Sequence, residues 1–197
     1  MARVGISVDR ALGVSIPHLR RIARAHRDDH ELALDLWATE IHEARILASM
    51  VDDPTRVSRP QMDDWAADFD SWDLCDQVCN NLFRSVAAVD QAARAWARSP
   101  DGYVKRAAFT IVAVQAVHDR DRPDSYFTAW LPRIRRAAAD ERTTVRKAVS
   151  WALRRIGKRN LVLRHAAIEE VERLLVLGSR SARRIARETE RDLRPRR

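Results

Sequence analysis

One pair of segments constrains the fold more than any other feature of the chain. Val104-Lys105-Arg106-Ala107-Ala108-Phe109 lines up with Val145-Arg146-Lys147-Ala148-Val149-Ser150 at an offset of 41 residues. Both are built on helix formers, with small residues where neighbouring helices approach closely. A helical unit recurring at this spacing does not bury its apolar face alone; it stacks on copies of itself. The punctuation agrees, because 5 Gly and 7 Pro in 197 residues leave little material for many tight turns.

Start and stop signals predict helix hairpins along the whole chain, at about 20 residues per helix plus loop. Ser15 and Pro17 open the first helix. Residues 30–38 and 40–51 form a pair that stops at Asp52-Asp53-Pro54. Ser58 and Pro60 start the next helix, Ser71 caps one through about Arg84, and another covers about 87–98. Asp101 caps a long helix to about His118. Asp124 caps the segment with Tyr126, Phe127 and Trp130. Thr143 or Thr144 starts a helix that ends near Gly157, and Asn160 and Ser179 cap the last two. The expected fold is all-α: a right-handed α-α superhelix of HEAT-like repeats, forming one domain over residues 1–197.

Charge narrows the partners. Residues 1–100 carry 12 Arg and no Lys against 16 acidic residues, a net of −4; residues 101–197 carry 24 basic against 12 acidic, a net of +12. The second half therefore holds the positive field, which attracts polyanions. Arg outnumbers Lys 33 to 3; guanidinium groups grip phosphate through two hydrogen bonds, although high-GC coding also favours Arg. Cys75 and Cys79 lie i,i+4 with no Cys-x-x-Cys or His cluster, so they are expected as reduced thiols of a cytoplasmic protein, without metal or cofactor. Met1–Arg10 lacks the apolar stretch of a signal peptide, and no apolar run is long enough to span a membrane.

Candidate chemistry lies on the helix that starts at Ser71. Leu74, Cys75, Val78 and Leu82 make its core stripe; Trp72, Asp76, Asn80 and Phe83 fall opposite. The spacing of Trp72 and Asp76 is equally met by a Trp packed on a neighbouring helix and a solvated or ion-paired Asp. Arg106 sits on the first repeat segment and Trp151 at the edge of the second stripe. There too, an inter-repeat ion pair and ordinary packing fit.

Several segments together resemble the AlkD-type DNA alkylation-repair glycosylases: Ala11 to Arg20, Ser71-Trp72-Asp73-Leu74-Cys75-Asp76, Lys105-Arg106-Ala107-Ala108, and Lys147 to Arg154. The likeness runs over nearly the whole chain. It implies that Trp72, Asp76, Arg106 and Trp151 line a DNA-facing surface. The implied reaction is hydrolysis of the N-glycosidic bond of positively charged N3- or N7-alkylated purines, such as 3-methyladenine or 7-methylguanine, without flipping the base into a pocket. Asp76 is the implied catalytic residue, Arg106 the implied phosphate contact, and Trp72 and Trp151 the implied aromatic faces. The implied partner is double-stranded DNA, and a monomer is expected. The family usually carries an additional helix before the segment at Met1-Ala2-Arg3, and can place an aromatic residue where this chain has Val4. Two other readings fit the architecture: a non-catalytic DNA-binding or damage-recognition module, and a protein scaffold.

Overall fold

The computed structural model describes residues 10–194, and all regular structure among them is helical. In chain order the helices are α1 (Ile16–Ala23), α2 (His30–Ala38), α3 (His42–Val51), α4 (Arg59–Ala67), α5 (Trp72–Asn81), α6 (Val89–Trp96), α7 (Gly102–His118), α8 (Asp124–Thr128), α9 (Leu131–Ala137), α10 (Thr143–Arg159), α11 (Leu161–Val176) and α12 (Arg180–Leu193). The chain resolves into two compact units, Met1–Ala92 and Ala93–Arg197. The expectations about Val4 and a preceding helix lie outside the described residues.

Capping follows the sequence at most ends. Asp29 accepts from the Leu32 amide, Ser58 from Gln61, Asp101 from Tyr103 and Val104, Asn160 from Leu163, and Ser179 from Ala182. Each bond satisfies a backbone donor that the first helical turn leaves open. Four expectations fail. Ser71 stands at the N-cap of α5, but its side chain makes no capping bond. Asp124 is the first helical residue of α8 and not its cap; its carboxylate instead accepts from the Asn160 amide at 2.9 and 3.0 Å. α5 ends at Asn81, followed by a 3-10 turn at Phe83–Ser85 that turns Phe83 fully into the core. Gly157 does not stop α10, which continues to Arg159. A side chain at 157 would collide with Leu193 and sit 3.0 Å from the Ala167 β-carbon, so glycine here serves close helix packing.

In the first unit α3 packs against α1, α2 and α5. An aromatic cluster fills the space beside them: the Trp37 and Trp65 rings stack at 3.9 Å, and Phe69 lies edge-on to Trp37 and 6.2 Å from Phe83. Trp37 also donates its indole N–H to Asp68 at 2.9 Å, which satisfies the polar end of a buried ring.

The second unit shows the repeat directly. α7 and α10 are both 17 residues long and begin 41 positions apart, at Gly102 and Thr143. α10 packs against α7, α9, α11 and α12. Polar rungs join successive repeats: Lys105 to Asp140, Arg135 to Glu170, Ser150 to Glu188, and Arg154 with Lys158 to Asp192. Most other cross-repeat contacts are apolar and buried, with Phe109, Trp130, Ile134, Leu153 and Ile156 at their centre.

Candidate functional site

α5 presents two faces, as its sequence predicts. Leu74, Cys75, Val78 and Cys79 are buried, and neither cysteine forms a disulfide. Trp72 is 39% exposed, an unusual position for so large an apolar ring. Asp76, one turn further on, is half-buried, as are Gln77 and Asn80. The helix thus sets an indole and a carboxylate side by side on one accessible face.

A buried ion pair that no sequence signal marks steadies this helix. His42 of α3 donates from Nε2 to Asp73 of α5 at 2.9 Å. The bond to Asp73 raises the His42 pKa above its usual value, against the opposing effect of burial. Burial pushes the Asp73 carboxyl up, but the bond and charge of His42 outweigh it and hold the group low. Asp73 lies between Trp72 and Asp76 in sequence, so this pair fixes the rotation of α5 and the direction of its exposed face. A second buried pair, His30 with Asp52 at 2.6 Å, holds the start of α2 to the end of α3, with Gln61 donating to the other Asp52 oxygen.

The first unit is acidic overall, yet it gathers three arginines. Arg20, Arg24 and Arg27 line a concavity of about 280 Å³ together with Met50 and with Asn81 at the end of α5. Arg20 lies on α1, Arg24 is its C-cap and Arg27 follows in the turn; their i, i+4, i+7 spacing was readable in the sequence.

In the second unit the exposed face of α10 is basic and carries one aromatic ring. Lys147 and Arg155 are exposed, Lys158 follows them, and half-buried Trp151 sits between Lys147 and Arg155, one turn from each. Arg106 occupies a different setting. It is 5% exposed, and its guanidinium donates to the Thr144 carbonyl at 2.8 Å, across from α7 to the first turn of α10. The structure therefore brings Arg106 and the α10 helix of Trp151 together, and it uses Arg106 to position α10.

Among the described residues no group of three or more His, Cys, Asp or Glu side chains could hold a metal, and no helix is long and apolar enough to cross a membrane.

The comparisons bear on the fold and the family. A solved structure described as "a new family of proteins related to the HEAT-like repeat DNA glycosylases with affinity for branched DNA structures" superposes with a TM-score of 0.76. It is 19% identical, with 87% of this chain and 74% of that chain covered. At that identity the match establishes the HEAT-like fold. No protein of curated function matches the chain. The family described as "DNA alkylation repair enzyme" matches residues 1–190, and the chain belongs to that family.

Proposed function

We propose that this protein is a DNA glycosylase of base excision repair that removes positively charged N3- and N7-alkylated purines from duplex DNA, acting in the cytoplasm as a monomer. The observation that carries this reading is the accessible pair on α5, Trp72 beside Asp76, in a chain whose family is named for DNA alkylation repair.

The chemistry follows from the substrate. Alkylation at N3 or N7 places a positive charge on the base and makes it a good leaving group. As the bond to C1′ lengthens, the sugar gains oxocarbenium character. A carboxylate at the position of Asp76 stabilises that charge and orients or deprotonates the attacking water. The indole faces of Trp72 and Trp151 favour a cationic base or sugar next to them. Lys147 and Arg155 supply phosphate contacts, which position the duplex without reading its sequence. Arg106 holds the first turn of α10 in place and is assigned a phosphate contact in the complex with DNA.

The test is release of free alkylated base from treated duplex DNA. Activity in the wild type that is lost in Asp76→Asn, with DNA affinity retained, is the expected result. A non-catalytic DNA-binding module is the second reading. Two observations favour it: Arg106 is buried against Thr144, and the solved relative is described by its affinity for branched DNA and not by base release. Tight, salt-sensitive DNA binding without base release would establish it.

A further inference from the structure

The second unit carries another arginine cluster, which shares no residue with the α10 face. α9 buries Leu131, Ile134 and Ala137, and it packs against α10 and α11. Its other side carries Arg133 and Arg136. There they join Arg94 of α6 and Arg98, just beyond that helix, around a groove of about 320 Å³ whose remaining lining is Ala97 and Pro132. The groove has four guanidinium groups and no carboxylate in its lining.

Several other arginines of this unit are neutralised: Arg135 by Glu170, Arg142 by Asp140, Arg154 by Asp192 and Arg184 by Glu188. In the groove no carboxylate pairs with Arg94, Arg98 or Arg136 among the described residues. Arg133 is held from below, donating to the Ala129 carbonyl at 2.8 Å with its guanidinium 5.5 Å over the Trp130 ring. Four like charges around one concavity repel each other, and a bound polyanion relieves that repulsion.

The lining also identifies the polyanion. A protein partner needs an apolar or aromatic anchor pocket at the centre of the contact, and Ala97 with Pro132 offers none. A single strand needs exposed rings on which bases stack, and Trp130 beneath Arg133 is 2% exposed. A duplex backbone needs only spaced positive charge. Arg133 and Arg136 are a pair at i,i+3 on α9, about 5–6 Å apart at their β-carbons, and Arg98 follows Arg94 by four residues just past the end of α6. That step is comparable to the spacing of successive phosphates.

We infer that the Arg94–Arg98–Arg133–Arg136 groove binds the backbone of a second DNA duplex, so that one protein molecule holds two duplex segments on separate surfaces of its second unit. This goes beyond the glycosylase reading and does not depend on Asp76.

The experiment mixes two short duplexes, one with a donor dye and one with an acceptor, and adds the protein. Energy transfer and sedimentation then read whether both enter one complex. The wild type is expected to bring two duplexes into a complex with one protein molecule. Arg98→Glu with Arg136→Glu is expected to keep the first duplex while weakening the second by about tenfold or more, because phosphate contacts dominate affinity. Base release is expected to be unchanged, which separates this proposal from the catalytic one. Arg98→Gln with Arg136→Gln repeats the test if charge reversal disturbs the fold. Saturation of the wild type at one duplex overturns the proposal. So does bridging that both variants leave intact, or bridging by a protein dimer. Binding of poly-glutamate in place of a second duplex overturns it in favour of an acidic protein partner.

Discussion

Replacing Arg106 by Ala separates two roles for one side chain. The guanidinium is nearly enclosed and donates at 2.8 Å to the carbonyl of Thr144 at the start of α10. A hydrogen bond from a charged donor contributes about 1.5–3 kcal/mol, while the Thr144 carbonyl keeps its partner within the helix. The lost aliphatic stem adds a packing cost. A net loss of about 2–3 kcal/mol shifts the midpoint of a chain of this size by roughly 4–12 °C. Thermal melting followed by circular dichroism, alongside duplex binding at several salt concentrations, reads both effects. The expected outcome is a clear fall in Tm with a salt slope reduced by no more than about one phosphate contact. An unchanged Tm with a large loss of DNA affinity would refute the positioning role and make Arg106 a phosphate ligand alone.

Three further outcomes follow from the packing and charge. Arg135→Met strands Glu170, which is 0% exposed and is gripped by Arg135 at 2.6 and 2.7 Å; with Arg173 still in contact, the expected loss is at the low end of about 3–5 kcal/mol by chemical denaturation, and a neutral result would show that the carboxyl simply takes up a proton. Gly157→Ala gains up to about 1 kcal/mol of helix propensity but overpacks against Leu193 and Ala167 at about 1–3 kcal/mol, so a lowered Tm is expected and a raised one would show that Leu193 yields freely. The raised His42 pKa makes the His42–Asp73 pair stabilising at low pH: its contribution is complete below about pH 6.5 and is lost as pH rises through the folded-state value. Denaturation curves across that range are expected to lose this slope in His42→Gln, and the same slope in both proteins would contradict the assignment.

The repeat was legible in the sequence because it rests on local signals. The 41-residue offset returned as two helices of equal length, and the caps at Asp101, Asn160 and Ser179 form as their side-chain chemistry dictates. Where the reading failed, tertiary contact overrode a local rule. Gly157 marks a helix end by propensity, yet Leu193 and Ala167 press against it and reward the missing side chain within the helix. Phe83 falls on the outer face if α5 runs on unbroken, but the chain tightens into a 3-10 turn and buries it.

The candidate site divides along the same line. Trp72 and Asp76 are neighbours on one helix, so their shared accessible face could be read from spacing. The burial of Arg106 could not, because Thr144 lies 38 residues away in sequence. The His42–Asp73 pair was hidden for the same reason, with 31 residues between its partners. The Arg94–Arg98–Arg133–Arg136 groove likewise needs two helices placed side by side before four ordinary surface arginines become one charged concavity.

The central claim, that Asp76 drives base release, is tested most directly on a duplex carrying a single 7-methylguanine. Wild type and Asp76→Asn are compared by chromatography of the free base, with duplex affinity measured in parallel. Release by the wild type and its loss in Asp76→Asn at unchanged affinity is the predicted result. Equal release by both proteins, or none from the wild type while it binds the duplex tightly, would contradict it.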